Sequence, residues 1–218
     1  MSELTRRRLE PELLDSLAPD HPDALHNRRD LRLTNAVTGN HRWLVATTRS
    51  LRRSGEAVLE VASGTGELTR RLHDAGVPVD GLDLWPAPDP WPEERRWHRA
   101  DLRAFDGYAA YPVVLGNLIF HQFADDELAA LGAKLRRTAR VILACEPVRR
   151  RRSQVLFALF GRLFGANHVS LHDAHVSIAA GFLGEELPAT LGLDPASWQV
   201  NVTLTTLGMY RMVAVRNP

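Results

Sequence analysis

One short stretch constrains the fold more than any other, because it predicts a buried strand that runs into a glycine turn and then into a helix. It reads VLEVASGTGE and covers residues 58–67. Its first part is too short and too rich in β-branched residues for a core helix. Gly64 and Gly66 let the backbone turn tightly against a ligand, because glycine accepts left-handed torsion angles and adds no side chain at the contact. The following helix would point its free N–H groups at that ligand.

Three neighbouring residues narrow the kind of ligand. Glu60 lies near the end of a core strand, where a carboxylate is costly unless it has a partner such as an ammonium group or a water bound to one. Dinucleotide-binding turns have a third glycine in the pattern G-x-G-x-x-G, whereas Thr69 stands at that position here. Ala62 stands where the pattern E-x-G-x-G-x-G has its first glycine. The carboxylate of Glu60 therefore says more about the ligand than the glycines do, because it indicates an ammonium group or a water bound to one.

This stretch resembles motif I of the class I S-adenosylmethionine (SAM)-dependent methyltransferases, in which an acid and a hydrophobic residue precede G-x-G-x-G. Glu60, Gly64 and Gly66 match that motif, and Ala62 departs from it by the mildest available change. Landmarks in the order of the family extend over roughly residues 57–147. The resemblance implies SAM as the cofactor, held by the carboxylate and by the turn. The turn residues are Ala62, Ser63, Gly64, Thr65 and Gly66.

Later strand ends supply the other landmarks. Asp83 ends the predicted second strand about 20 residues beyond the glycine loop, so parallel pairing brings its carboxylate to the ribose hydroxyls of a nucleoside, in SAM and NAD alike. Leu84 follows it. The resemblance implies that Asp101 bonds the adenine amino group and that the next N–H, that of Leu102, reads the ring, with helix capping as the alternative for Asp101. Asn117 ends the predicted fourth strand, which in the family lies under the methyl group.

Composition limits the partners and the location. The formal net charge of +1 argues against a protein held to nucleic acid by bulk electrostatics, and residues 116–119 read GNLI instead of the NPPY of base amino-group methylation. The single cysteine, Cys145, excludes an internal disulfide and fits a reducing cytoplasm. No apolar run reaches the length of a membrane span or a signal peptide. We expect a soluble cytoplasmic protein with a small-molecule substrate, no nucleic-acid partner and no integral membrane segment.

The order of the predicted elements indicates an α/β protein, and the resemblance implies a single methyltransferase domain over residues 1–218. We expect a Rossmann-like, seven-stranded class I methyltransferase sheet with helices on both faces, an antiparallel C-terminal hairpin and an N-terminal helical cap. The cap covers residues 1–54 and the SAM-binding core residues 55–147. An insertion or substrate lid follows over residues 148–183, and a C-terminal helix and the hairpin complete the chain over residues 184–218.

The cap is predicted to contain helices over residues 10–16, 22–36 and 41–53. Asn35, Asn40 and Arg42 are candidates to face the site, although a solvated helix-loop-helix is the plainer interpretation of each. The middle helix has its predicted apolar positions at Ala24, Leu25, Leu31, Leu33 and Val37. The third has a predicted core face of Trp43, Leu44, Ala46 and Leu51.

Four residues are candidates for acid-base chemistry. His121 lies a few residues beyond the fourth strand, close to the predicted cofactor or substrate. The polar stretch 167–177 contains His172, Asp173 and His175, where a histidine oriented by the aspartate would remove a proton from a phenol or enol. A metal site there lacks further ligands at suitable spacing, so no metal is expected. A polar loop and a structural histidine are the plain alternatives.

The insertion begins with four arginines, residues 149–152, and Ser153 as a predicted helix N-cap, followed by a very apolar helix. Such a helix would bury against the cap, line an apolar pocket, pair with a second subunit, or touch a membrane surface through residues 149–165. Arginines favour anionic lipid, but positive charge before a helix N-terminus is unfavourable. The favoured interpretation is a solvated loop with a pocket or packing role, and a homodimer stays open.

The resemblance implies a SAM-dependent methyltransferase that methylates an oxygen, or as the alternative a carbon or nitrogen, of a small lipophilic or aromatic metabolite. Because the sulfonium already activates the methyl group, such catalysis needs in-line positioning more than strong acid-base chemistry. One alternative is an NAD(P)-dependent Rossmann oxidoreductase, which shares Asp83 and the glycine loop. Another is a non-catalytic SAM-binding or interaction protein.

Overall fold

A mixed β-sheet lies at the centre of the computed structural model, which describes residues 4–218. Its strands are β1 (Val58–Val61), β2 (Val79–Asp83), β3 (Trp97–Arg99), β4 (Val113–Asn117), β5 (Val141–Pro147), β6 (Trp198–Leu204) and β7 (Met209–Arg216). They follow the order β3-β2-β1-β4-β5-β7-β6. β1 to β5 are parallel, and β7 runs antiparallel to both β5 and β6. The predicted seven-stranded sheet with an antiparallel C-terminal hairpin is confirmed.

Helices cover both faces of this sheet. They are α1 (Pro22–Thr38), α2 (Asn40–Leu51), α3 (Glu67–Asp74), α4 (Asp125–Thr138), α5 (Arg151–Leu163), α6 (His168–Ala180) and α7 (Glu186–Thr190). Neighbouring residues of β1 enter separate hydrophobic clusters: Val58 packs with Leu44 of α2 and Leu68 of α3, whereas Leu59 packs with Leu128 of α4. The two clusters arise because successive side chains of a strand point to opposite faces.

The cap differs from its prediction. The helix predicted over residues 10–16 is wrong, because this part of the chain forms only a 3-10 turn at Leu14–Ser16. In α1 the predicted apolar face is also wrong, apart from Ala24, which is buried. The exposed members of that face are Leu25, Leu31, Leu33 and Val37. In α2, Leu44 is buried as predicted, but Ala46 is exposed.

The partners of α1 explain this inversion, because the helix buries polar side chains against other polar side chains. Asn27 Nδ2 donates to Asp173 Oδ2 of α6 at 3.3 Å. Asp30 Oδ2 accepts the hydroxyl of Ser170, also on α6, at 2.7 Å. A buried polar group with a hydrogen bond costs far less than an unpaired one. The cap therefore attaches to α6 through polar contacts.

The insertion also differs from its prediction. Arg149 is only 2% exposed instead of lying in a solvated loop, and its guanidinium donates to Glu186 Oε2 at 2.9 Å and to Gly181 O at 3.0 Å. α5 begins at Arg151, so Ser153 lies inside the helix and is not its N-cap. Residues 167–177 form most of α6 and its cap instead of a polar loop.

Among residues 4–218, no helix combines the length and the apolar character that crossing a bilayer requires. The expectation of a soluble cytoplasmic protein stays a prediction.

Candidate functional site

The turn after β1 brings together backbone groups at the carboxyl edge of two adjacent strands. Ala62, Gly64 and Gly66 all have left-handed backbone angles, with φ of 54°, 53° and 69°. The N–H of Gly64 donates to Asp83 Oδ2 at 2.8 Å, which ties the turn to the end of β2. A Cβ on Gly64 would have no heavy atom within 4 Å, whereas one on Gly66 would lie 3.0 Å from Pro88 Cγ. Open space therefore borders the turn at Gly64.

The other two turn residues differ in their surroundings. Ser63 is buried, and its hydroxyl donates to Glu60 O at 2.9 Å and accepts from the N–H of Leu82 at 3.3 Å, so it braces β1 against β2. Thr65 is exposed at the tip of the turn. The turn is thus rigid at its base and open at its tip.

Glu60 is a buried acid that keeps its proton at neutral pH. Its side chain is 4% exposed and accepts a hydrogen bond from the hydroxyl of Thr69, the residue at the position of the missing third glycine. Burial raises the pKa of Glu60 to about 8, the Thr69 bond opposes that rise, and the nearby Asp83 charge adds to it. A cation placed beside this carboxyl group would favour its ionised form.

The end of β2 presents a carboxylate next to exposed apolar side chains. Asp83 Oδ1 accepts the N–H of Trp85 at 2.9 Å, in addition to the Gly64 contact of its other oxygen. Leu84 and Trp85 are 62% and 51% exposed, which is unusual for large apolar side chains at a strand end. Asp83 thus stands between the open glycine turn and an apolar surface.

Asp101 is held by an arginine in this structure. Its carboxylate accepts the backbone N–H of Arg103 at 2.8 Å and pairs with the guanidinium of the same residue at 2.6 Å. The hydrogen bond from Arg103 lowers the pKa of Asp101, although burial opposes this effect. Leu102 is 7% exposed and packs in the core. The roles of Asp101 and Leu102 toward adenine stay predictions.

The end of β4 joins the cap in a cluster of amides. Asn117 Nδ2 and Asn40 Nδ2 both donate to Asn35 Oδ1, at 3.1 and 3.2 Å. Within the described residues, the side-chain oxygens of Asn40 and Asn117 are buried and lack a hydrogen-bond partner. Buried acceptors of this kind are costly unless another donor reaches them. The cluster therefore contains two buried acceptors that no donor of the described residues satisfies.

His41 belongs to the same cluster, and the sequence reasoning did not select it. Its Nε2 lies 3.5 Å from Asn117 Nδ2. Burial lowers the pKa of His41 to about 4, helped by the positive charge of Arg71, so the imidazole is neutral at pH 7. Asn40 and Arg42, which precede and follow His41, are predicted candidates to face the site. Their positions were the signal that could have indicated His41.

His121 lies in a buried chain of charges. Its Nδ1 is 2.6 Å from Glu146 Oε2, and its Nε2 is 3.3 Å from Glu12 Oε1. Glu146 Oε1 also accepts the N–H groups of Ile119 and Phe120 at 3.0 Å each. Burial alone would lower the pKa of His121, but the hydrogen bonds and charges of Glu12 and Glu146 outweigh it and raise the pKa to about 9. His121 is therefore a cation at neutral pH.

The N-terminal segment 4–17 crosses the end of the sheet and closes over His121. Arg7 donates to the carbonyl oxygens of His121 at 3.1 Å and Phe123 at 2.9 Å. The N–H of Leu13 donates to Asp173 Oδ1 at 2.7 Å, so Asp173 anchors this segment. A cavity of about 270 Å³ lies between the segment, the turn at His121 and α6.

Solved structures with the same architecture identify the fold. The plantazolicin methyltransferase BamL, solved with S-adenosylhomocysteine (SAH) and a triazolic desmethylPZN analogue, aligns over 94% of this chain and 93% of its own, with 10% identity and a TM-score of 0.70. The plantazolicin methyltransferase BpumL, solved with SAH, aligns over 91% and 92%, with 11% identity and a TM-score of 0.66. This chain has the class I methyltransferase fold. The pyocyanin biosynthetic protein PhzM shares it at 20% identity and a TM-score of 0.63, over 94% of this chain and 62% of PhzM. No protein-family model and no curated protein sequence matches the chain.

In this methyltransferase fold, the polar residues of α6 divide into two groups. His172 Nδ1 lies 3.2 Å from Asp173 Oδ1, as the predicted pairing requires. His175 is exposed and turns toward α5, where Gln154 Nε2 lies 3.5 Å from its Nε2. The structure thus brings His172 and Asp173 together and leaves His175 outside that pair. Over residues 4–218 there is no cluster of three side chains suited to a metal ion.

Two acids of the site escaped the sequence reasoning as partners of His121. Glu12 falls in the segment 10–16, which the sequence predicts to be a helix, and Glu146 is not among the predicted site residues. The available signal was the same as for Glu60, an acid at the end of an apolar strand, since Glu146 follows the apolar run 141–145.

Proposed function

We propose that this protein transfers the methyl group of SAM to a small, largely apolar acceptor. One observation carries the proposal: the open glycine turn is hydrogen-bonded to Asp83 at the sheet edge, directly above the buried, protonated Glu60. That combination suits a nucleoside that also carries an amino-acid group. The class I fold adds the strand order in which such a site lies at the carboxyl edge of β1 and β2.

The donor set fits this cofactor at each end. Glu60 would face the ammonium group, the turn residues 62–66 would lie along the chain of SAM, and Asp83 would take the ribose hydroxyls. Leu84 and Trp85 offer apolar surface beside Asp83, and the predicted adenine contacts are Asp101 and Leu102. Bound SAM supplies a methyl group that its sulfonium has already made electrophilic. The chain itself supplies binding and alignment.

The acceptor would approach between α1 and the end of β4. Asn27, Leu31 and Asn35 are four residues apart and share one face of α1. Asn27 and Asn35 are buried, whereas Leu31 between them is 38% exposed. Asn117 is hydrogen-bonded to Asn35 on the same face. An apolar ring with one hydroxyl group would gain apolar contact at Leu31, and its hydroxyl would donate to the buried, unpaired Asn117 Oδ1 once the ring enters beside Asn35.

This geometry favours an oxygen acceptor and suggests a division of labour between two histidines. His41 is neutral at pH 7, so its imidazole can accept a hydrogen bond from an acceptor hydroxyl in place of the Asn117 amide and align that oxygen for transfer. His121 is already protonated, so we assign it to holding the N-terminal segment closed. The azole analogues bound to BamL and the pyocyanin pathway of PhzM support an aromatic acceptor.

Two other functions are weighed against this one. An NAD(P)-dependent oxidoreductase would need the third glycine of the dinucleotide turn, where Thr69 instead bonds Glu60. A non-catalytic SAM-binding protein would keep the turn and bind SAH without turnover. The first is distinguished by ligand binding and the second by turnover.

Calorimetric titration with SAH and with NADH tests the cofactor. We expect the parent protein to bind SAH and not NADH, and Gly64→Val to abolish SAH binding, because a side chain would occupy the open space beside Asp83. Gly76→Val is the matched control, since Gly76 also has a left-handed φ, 77°, and open space around a Cβ, but lies at the end of α3. NADH binding, or equal SAH affinity in the two variants, would contradict the cofactor assignment.

Release of SAH from SAM in the presence of phenols and quinols tests the transfer. We expect His41→Gln to lower kcat at least tenfold, whereas His175→Gln leaves it unchanged. An inactive parent that still binds SAH would indicate the non-catalytic alternative.

A further inference from the structure

One helix face is exposed although its side chains are large and apolar. Five residues of α5, together with the residue that follows the helix, form what we call the α5 face. Its exposed fractions run from 44% to 73%. Its members are Val155, Leu156, Leu159, Phe160, Leu163 and Phe164. Contiguous exposed apolar surface of this kind marks an interaction site in a folded protein.

The exposure is not the result of a loosely attached helix. The opposite side of α5 packs against the rest of the molecule, where Ser153 is buried and its hydroxyl would lie 3.1 Å from a Cβ on Gly208. A Cβ on Gly161 would approach Leu171 Cδ2 of α6 to 3.0 Å, so the two helices meet closely. The chain therefore fixes which side of α5 faces outward.

The charged side chains of α5 and its N-cap are all basic. Arg150 and Arg152 stand at the N-terminal end and Arg162 at the C-terminal end, and α5 contains no acidic residue. Arg152 shares a helix side with Leu156 and, one turn further, Leu159. Positive charge at a helix N-terminus opposes the helix dipole. These arginines therefore gain most from an anionic partner.

We propose that the α5 face lies on an anionic lipid surface, with its apolar side chains at the boundary of the acyl chains and its arginines at the phosphate groups. Interfacial helices have this pattern of an apolar stripe with a basic rim. Long arginine side chains reach the headgroups while their stems stay on apolar surface. The α5 face would thus hold the protein against the membrane without crossing it.

Charge decides between lipid and a second copy of this chain. In a two-fold dimer the same patch meets itself, so the arginine ends would face arginines in either direction of the helix pair. α5 has no carboxylate to compensate them. Anionic headgroups neutralise the same charges, and each basic residue near such a surface contributes to binding.

The position of α5 links this surface to the site. The helix follows β5 directly, and Glu146 of β5 contacts His121. A protein bound through the α5 face would present that end of the sheet close to the bilayer. The membrane proposal does not rest on the proposed methyl transfer, because vesicle binding requires no turnover.

Vesicle flotation tests the proposal with the full-length protein. We expect binding to vesicles of phosphatidylcholine with phosphatidylglycerol, much weaker binding to phosphatidylcholine alone, and loss of binding as salt is raised. Leu159→Glu should weaken the partition roughly tenfold or more. Leu207→Glu is the matched control, because Leu207 is 57% exposed against 61% for Leu159 but lies in the β6–β7 turn.

A second pair of variants tests the contribution of the arginines to vesicle binding. Arg152→Glu should weaken binding to the anionic vesicles roughly fivefold or more, whereas Arg137→Glu, an exposed arginine in the last turn of α4, should not. Equal thermal unfolding midpoints for all variants exclude misfolding as the cause. No binding by the parent, or unchanged binding by Leu159→Glu and Arg152→Glu, would overturn the proposal.

A fluorescent reporter distinguishes lipid binding by the α5 face from dimerisation through it. Phe160→Trp should show a blue-shifted emission, relative to the parent, when anionic vesicles are added, and brominated lipids should quench it. Light scattering without lipid should give a monomer. A dimer that Leu159→Glu dissociates, with no spectral shift on adding vesicles, would assign the α5 face to a second copy and overturn the lipid assignment.

Discussion

The buried pair of His121 and Glu146, extended by Glu12, makes the stability of this protein depend on pH. A pKa raised from its usual 6.5 to about 9 means that the folded state holds the His121 proton where the unfolded state releases it. Hydrogen bonds from His121 to both carboxylates, together with the charges of those carboxylates, overcome the opposing effect of burial. At about 1.4 kcal/mol for each pH unit, the shift corresponds to about 3 kcal/mol.

The sign of the effect follows from the direction of the shift. The stabilisation is fully present below pH 6.5 and is lost as the pH rises to about 9, where the folded state also releases the proton. His121→Gln removes the titration but keeps one donor toward Glu146. Below pH 6.5 we expect the free energy of unfolding of the variant to be about 3 kcal/mol lower than that of the parent. This difference should shrink as the pH rises toward 9.

Urea unfolding at a series of pH values from 6 to 9.5 measures this difference. Titrations of groups that His121 does not contact, such as Glu60, occur in parent and variant alike and cancel in the comparison. His175→Gln is the control, because His175 is exposed on α6. A constant difference between parent and His121→Gln across this pH range would refute the assignment of a buried, protonated imidazole.

Three further variants probe other parts of the site and its support. Ala62→Gly should raise the free energy of unfolding by roughly 0.5 kcal/mol, because the strain of alanine at a φ of 54° exceeds the extra entropy of glycine; a lower urea midpoint would contradict this. In pH-dependent urea unfolding, Glu60→Gln should gain stability relative to the parent as the pH rises from about 4.5 to about 8, since only the parent must keep a buried carboxyl group protonated. Arg149→Met should lower the free energy of unfolding by about 3 kcal/mol, because it leaves Glu186 and a buried carbonyl without their donor. Arg152→Met should change it by no more than about 0.5 kcal/mol. Similar thermal midpoints for the two variants would argue against the buried ion pair.

The elements that sequence reasoning predicted well depend on local chemistry. β1 and its turn follow from a short β-branched run and from glycines that need left-handed angles, and these preferences act within about ten residues of chain. Asp83 was predicted at the sheet edge because parallel strands bring their carboxyl ends together. The hairpin of β6 and β7 follows from two alternating runs around Gly208.

The errors share one cause, which is that distant partners decided the outcome. The apolar residues of α1 predicted a buried apolar face. The helix buries Asn27 instead, because the side-chain amide of Asn27 donates a hydrogen bond to Asp173, which lies 146 residues away in the chain. The polar composition of residues 167–177 makes a loop one of their alternatives, yet Ser170 and Asp173 have partners on the cap. Polar composition indicates exposure only when no partner is available.

The layered α/β architecture and the strand-turn-helix at Glu60 can be predicted from the sequence, because local preferences and hydrophobic periodicity specify them. The charge state of the titrating residues depends instead on contacts between distant parts of the chain. His41 is neutral because it is buried at the cap, and His121 is charged because Glu12 approaches it from 109 residues away. A side chain's pKa depends on what surrounds it in space, and neighbours in sequence do not define those surroundings.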